Sequence, residues 1–267
     1  MAGALRVGVV GRAGAGRRTV ARALSSAGVA VADPGADAEV MVYVFVETLT
    51  LDDYAALGSL ARPTVAVLNK ADLTGFADDG PLAVCADRCR TLRRQTAVPV
   101  VPLSALLAVA GTAPEALDEQ ALAGLRALAR GAVPDAPVRQ RLATDLDVVG
   151  TALAVGALRD GADRSAVARL LRAVSGIDEV LTQIDRAGAP IRYRRAAGPA
   201  RTAAAGAVLD AAGAPAPRHA DPLAGAVHWH RYARGPVSPL HRACAMDLAR
   251  DAMRRWVRAG GRPAALP

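Results

Sequence analysis

The stretch Pro63-Thr64-Val65-Ala66-Val67-Leu68-Asn69-Lys70-Ala71-Asp72 is a short apolar run that ends in three side chains of distinct chemistry. A carboxylate such as Asp72, held at the mouth of a parallel strand, can accept hydrogen bonds from two adjacent N–H groups of guanine. Asn69 carries a donor and an acceptor on one amide and can tie neighbouring loops together. Lys70 can lay its aliphatic stem along a purine face. Composition sharpens the point. The chain holds 33 lysines and arginines, yet Lys70 is its only lysine and Asn69 its only asparagine. The plain alternative is a surface loop after a buried strand.

A second constellation lies near the start. Leu5–Val10 is a short apolar run that stops at Gly11, and a helical pattern follows over Val20–Ala27. Between them runs Gly11-Arg12-Ala13-Gly14-Ala15-Gly16-Arg17-Arg18-Thr19. Strand, glycine-rich loop and helix form a context in which backbone N–H groups converge on a phosphate, helped by the helix N-terminus. Against the pattern G-x-x-x-x-G-K-[ST], Gly11 and Gly16 match, with Gly14 between them. Arg17 stands where the lysine belongs and Arg18 where the magnesium-binding hydroxyl belongs, while Thr19 comes one residue late. Arg for Lys keeps a cation but offers a planar fork in place of a point charge. Losing the hydroxyl removes an expected Mg²⁺ ligand. Arg18 can instead neutralise phosphate directly, which predicts nucleotide binding with little metal dependence. A ligand-free strand–helix turn is the alternative reading.

Further elements must position these two groups. Val29–Ala32 reads as a strand followed by the turn Asp33-Pro34-Gly35, and Asp33 is a weak candidate for a metal-side carboxylate. Glu39–Val46 is almost unbroken apolar sequence, as a strand buried on both faces should be. Thr50 before Leu51-Asp52-Asp53-Tyr54 marks a helix start, with the helix running to about Ala61. The strand 64–69 comes next, then a helix from about Pro81 to Gln95 bearing Arg88, Arg90, Arg93 and Arg94. Val98–Leu103 is the last strand and ends in Ser104-Ala105. Strands alternating with helices predict a parallel sheet flanked by helices, whose ligands gather at the carboxyl ends of the strands. Gly11–Thr19, Asn69–Asp72 and Ser104-Ala105 all fall at that edge.

In order and spacing, residues 1–131 resemble the Era/Ras-like, translation-factor-related P-loop GTPases. Asn69-Lys70-Ala71-Asp72 matches their Asn-Lys-x-Asp guanine box completely. Ser104-Ala105 resembles the Ser-Ala-Lys box, whose backbone N–H contacts guanine O6, with Leu106 in place of the lysine. Gly11–Arg18 resembles the phosphate loop with two side chains changed, and the switch segment is missing. The resemblance implies GTP or GDP as ligand, whereas the departures leave hydrolysis and Mg²⁺ open.

Beyond the linker-like Gly131–Pro137, the pattern turns helical over 138–267, through Val138–Leu158, Arg164–Val174, Ile177–Ala187 and Leu240–Ala259. Gly188, Pro190, Gly198 and Pro199 are expected to interrupt it, and Ala200–Pro217 reads as partly mobile. The run Arg192-Tyr193-Arg194-Arg195 can touch RNA phosphate, anionic lipid or an acidic partner, or can simply be solvated. His228, His230, His241 and Cys244 fall close together but match no trusted zinc spacing.

The whole chain, at 267 residues, has length for a substantial core, and its net charge of +8 attracts anions. Only 3% aromatic residues leave little for base stacking. Cys85, Cys89 and Cys244 are too few for a disulfide framework. No apolar run is long enough for a bilayer span, and the N-terminus lacks a secretory pattern, so a cytoplasmic protein is expected. The leading expectation is a divergent guanine-nucleotide-binding protein acting as a regulatory switch or partner module. One alternative is a pseudo-GTPase scaffold that partners an intact GTPase without turnover. Another is an RNA- or ribosome-associated factor.

Overall fold

Apolar strands that must be buried on both faces need helices above and below them, and this requirement organises the computed structural model. It describes residues 4–35, 37–74, 82–217 and 221–261. Five strands, β1 (Arg6–Gly11), β2 (Ala30–Ala32), β3 (Val40–Phe45), β4 (Thr64–Asn69) and β5 (Val100–Leu103), form one sheet in the order β2-β1-β3-β4-β5. Every pairing is parallel. Helix α1 (Arg17–Ser26) links β1 to β2, α2 (Leu51–Ser59) links β3 to β4, and α3 (Ala83–Thr96) lies between β4 and β5. The chain builds outward one way from β1 and the other way from β3. Their carboxyl ends therefore flank a crevice of the kind where ligands bind in open parallel sheets.

The central strands are buried along their whole length. Tyr43, Phe45, Ala66, Leu68 and Val100 pack with Leu57 of α2 and with Cys85, Cys89 and Leu92 of α3. Side chains alternate across a strand, so Val40, Val42, Val44, Val65 and Val67 serve the opposite face. Helix α1 packs against β1 and β2 and against α4 (Ala105–Thr112). The expected helix from Pro81 begins at Ala83, with Pro81 outside the described residues.

Four more helices, α5 (Glu119–Ala129), α6 (Ala136–Asp145), α7 (Asp147–Arg159) and α8 (Arg164–Ser175), pack among themselves and onto α4. A Cβ on Gly111 of α4 would collide with the backbone of Arg172, so this glycine lets α4 and α8 approach closely. The segment Val138–Leu158 is two helices parted at Leu146–Asp147, where Asp147 takes a φ of +58°.

Contacts divide the chain into two units, Ala4–Asp185 and Arg186–Pro267, rather than within Gly131–Pro137. The reason is that α6 to α8 are packed with the helices that follow β5 and so belong with the sheet. Helix α9 (Ile177–Ala197) carries the division within it. It also runs through Gly188 and Pro190 without interruption, with Ile184, Ala187, Gly188, Pro190, Tyr193 and Ala197 all buried along its length. Tertiary burial outweighs the local cost of the proline.

The second unit adds α10 (Arg201–Ala211), α11 (Pro222–Arg234) and α12 (Pro239–Arg258). Tyr193, Ala205, Leu209, Trp229, Ala233, Cys244 and Ala245 form its core. Most of the stretch read as partly mobile is the helix α10. No helix among the described residues is long and apolar enough to cross a membrane.

Candidate functional site

The loop after β1 is shaped by its glycines. Gly11 has a φ of +138°, and a Cβ there would run into the carbonyl oxygen of Val44 on β3. Gly16 sits at the N-cap of α1 with a φ of +87°, a left-handed conformation that costs a side-chain-bearing residue about 1–2 kcal/mol. A Cβ on Gly16 would also collide with the side-chain amide of Asn69. Two independent constraints thus demand glycine at that position.

Helix α1 begins with no side-chain cap and no acidic residue in its first turn. Thr50, Asp118, Asp135, Asp163, Asp221 and Ser238 supply such caps to α2, α5, α6, α8, α11 and α12. The N–H of Val20 is the first in α1 to reach a main-chain acceptor, Gly16 at 3.0 Å. Those of Arg17, Arg18 and Thr19 precede it and lie at the positive end of the helix dipole. They border a cleft of about 730 Å³ lined by Gly14, Gly16, Arg17, Arg18, Thr19, Val31, Ala32 and Pro34. Arg17 and Arg18 are both exposed there. The donor set is cationic, which suits phosphate oxygens and disfavours a divalent metal in the same place.

Asn69 joins this loop to its neighbour. The side chain is 4% exposed; Nδ2 donates to the Ala15 carbonyl at 2.8 Å, and Oδ1 accepts from the Ala105 N–H at 3.1 Å. Both ends of the amide are therefore engaged. The loop-tying role expected of this residue is what its hydrogen bonds perform.

The next residues turn sharply. Lys70 is exposed, with a φ of +58° that is uncommon outside glycine. It lines a separate cleft of about 920 Å³ with Val46, Glu47, Thr48, Arg88 and Gln95. Asp72 is buried in a single 3-10 turn, Ala71–Thr74. The structure thus brings Gly11–Thr19, Asn69 and Ser104-Ala105 together through direct bonds, with Asp72 on the adjoining turn and Lys70 bordering the neighbouring cleft.

The loop after β5 departs from the expected use of its N–H groups. Ala105 donates to Asn69, and Ser104 donates to the carbonyl of Ser175 at 2.9 Å. The next main-chain N–H is that of Leu106, in the first turn of α4. Leu106 lines a third cleft of about 360 Å³ with Arg18, Thr19, Arg22, Val109, Thr144 and Asp145. Arg18 and Thr19 border both this cleft and the first, so the two adjoin across the opening turn of α1.

Sequence reasoning missed a buried network behind the phosphate loop. Arg12 Nε lies 3.2 Å from Oδ1 of Asp53, which is completely buried, and Tyr43 donates its hydroxyl to the same oxygen at 2.7 Å. The other carboxylate oxygen accepts from the N–H and hydroxyl of Thr50 at 2.7 and 2.9 Å. Burial pushes the Asp53 carboxyl up, but the bonds from Thr50 and Tyr43 and the Arg12 guanidinium outweigh it and hold it below the usual range. Burial and the hydrogen bond to Asp53 push Tyr43 up to about 12. The Thr50–Asp53 capping box was the only visible signal of this network.

The histidine group does not converge. His228 Nε2 meets the Pro215 carbonyl at 2.8 Å, Cys244 is wholly buried, and the described residues contain no cluster of three or more metal-ligating side chains. Comparison with protein-family models, curated proteins and solved structures finds no match to this chain.

Proposed function

We propose that this protein binds a guanine nucleotide at the carboxyl edge of its sheet, as a divergent P-loop GTPase-like regulatory or partner module. The observation that carries the reading is the double bond of Asn69, which locks the glycine-rich loop to the Ser104-Ala105 loop with Asp72 on the adjoining turn. The uncapped start of α1 supplies N–H groups for phosphate, Arg17 and Arg18 supply charge, and the Asp72 carboxylate accepts from guanine N1–H and the exocyclic amine. The base carbonyl would take its hydrogen bond from Leu106 N–H, since those of Ser104 and Ala105 are already committed. The sheet order with a phosphate loop after β1 is consistent with this class.

A reading without turnover is favoured by one further feature. Only Ala27, Gly28 and Val29 connect α1 to β2, which leaves no room for a segment that senses a γ-phosphate. With Arg18 in place of the hydroxyl, the residues present do not make a conventional magnesium site. The decisive experiment is competition between GDP and ADP for a fluorescent GDP analogue. GDP should bind at least ~100-fold more tightly, as expected where a site hydrogen-bonds a specific base edge. Equal affinity for the two would overturn the guanine assignment.

A further inference from the structure

The charge of this protein is divided very unevenly between its two units. Arg186–Pro267 contains fourteen arginines, no lysine, no glutamate and four aspartates, a formal surplus of ten. The remaining residues hold 19 basic and 21 acidic side chains and run two in deficit, which together give the +8 of the whole chain. Composition bias cannot explain the contrast, because the same preference for arginine produced a near-neutral sheet unit.

The surplus cannot be neutralised internally. Asp247 meets Arg250 at 3.3 Å, and Asp251 meets Arg254 and Arg255 at 3.6 and 3.2 Å. Asp221 is occupied in capping α11. However these groups pair, fourteen arginines against four aspartates leave the unit with a net charge of +10. Arg194, Arg195, Arg201, Arg231, Arg234 and Arg258 are all exposed, on the last turn of α9 and on α10, α11 and α12.

The arrangement of that charge selects the partner. A Cβ on Gly225 of α11 would lie 3.8 Å from Ala252 of α12, so these two residues mark the faces on which the helices meet. Arg234, about two and a half turns beyond Gly225, lies on the outer face of α11. Arg254, about 200° around from Ala252, lies on the outer face of α12. The exposed apolar pairs Leu223/Val227 and Met253/Val257 are likewise split between the two outer faces. A flat bilayer meets one face and wants an apolar stripe upon it, which this unit lacks. A polyanion met on several faces, by guanidinium forks that match phosphate oxygens, fits better. The unit's four aromatic residues, Tyr193, Trp229, Tyr232 and Trp256, are all buried or half-buried, which leaves little for base stacking.

We infer that the helical unit binds the phosphodiester backbone of a nucleic-acid duplex, independently of sequence. The inference does not rest on nucleotide binding at the sheet edge. Its test uses the full-length protein and fluorescein-labelled 20-bp duplexes of RNA and of DNA, followed by anisotropy as KCl is raised. With roughly five phosphates neutralised, affinity should fall ~500-fold between 50 and 200 mM salt. A preference between the two duplexes identifies the natural polymer. The triple variant Arg194→Gln/Arg195→Gln/Arg201→Gln and the double variant Arg231→Gln/Arg234→Gln should each weaken binding at least ~10-fold with an unchanged circular dichroism spectrum. Arg90→Gln/Arg94→Gln, on α3 of the sheet unit, should have no effect. Absence of binding to both duplexes at 50 mM KCl would overturn the inference. So would equal losses from the α3 variant, or tighter binding to phosphatidylglycerol vesicles than to either duplex at equal phosphate concentration.

Discussion

Asn69 donates to the main-chain carbonyl of Ala15 at 2.8 Å, from the end of one buried strand to the loop that follows another. The acceptor end of the same amide holds Ala105. Removing this side chain takes a hydrogen bond from two main-chain groups, the Ala15 carbonyl and the Ala105 N–H. Asn69→Ala should therefore cost about 2–6 kcal/mol in urea denaturation, at about 1–3 kcal/mol for each buried group left unpaired. Asn69→Asp should weaken nucleotide binding further than its stability loss accounts for, because a carboxylate cannot donate to the Ala15 carbonyl. An Asn69→Asp protein with wild-type affinity would show that the bond does not shape the site.

Asp72 offers a test by exchange of partners. Asp72→Asn swaps an acceptor for a donor at the base edge, so GDP affinity should drop at least ~100-fold while xanthosine diphosphate gains. Titration calorimetry with both nucleotides reads the exchange directly. Parallel losses for the two would mean that Asp72 supports the turn without reading the base.

The glycines of the phosphate loop should separate by environment. Gly16→Ala combines a φ of +87° with a collision against Asn69, and it should cost about 3 kcal/mol or more. Gly14 has a φ of +79° but open space around its Cα, so Gly14→Ala should cost only the ~1–2 kcal/mol of left-handed strain. Thermal denaturation of the two variants provides the comparison.

Metal dependence follows from the two arginines. GDP affinity should change less than ~3-fold on chelating Mg²⁺ with EDTA, and Arg18→Ala should lower it ~10-fold or more through loss of a charge-assisted bond. A strict magnesium requirement in the wild type would contradict direct neutralisation by Arg18.

The network behind the loop gives a pH signature of both signs. Tyr43 is raised to about 12, so its contribution is fully present below its unfolded value near ~10 and is lost as pH rises through about 12. Asp53 is lowered, so its contribution is present above an unfolded value near ~3.9 and is lost as pH falls through the folded one. An ultraviolet tyrosinate titration of the wild type minus Tyr43→Phe should isolate a component near 12. A component near 10 would show that Asp53 does not hold the phenol.

Much of the sheet was legible because burial on both faces leaves a direct mark, as in Glu39–Val46 and Thr64–Asn69. The loop-tying role of Asn69 was legible for a related reason, since a lone asparagine at a strand end has few other uses. Contacts between distant segments left no such mark. Nothing local in Ser175 announces that its carbonyl takes the Ser104 N–H, or in Arg12 that its guanidinium would reach Asp53 and the carbonyls of Val46 and Thr48. The contact division within α9 left no local mark either, because a proline- and glycine-bearing linker signals a loop, while membership of a unit is decided by what the following helices pack against. Gly188 and Pro190 misled in the opposite sense, as local preference yielded to burial along α9.

The two outermost strands bear on how this protein can meet others. β2 has only three residues, and β5 has four, one of which is Pro102, a residue with no N–H to offer. Neither rim presents a row of donors and acceptors long enough to template an incoming strand. Strand addition, a common way for an open sheet to capture a peptide or a second copy of itself, is therefore closed at both ends. Recruitment of any partner to this unit falls to its loops and helices, and the sheet itself is protected from edge-to-edge aggregation.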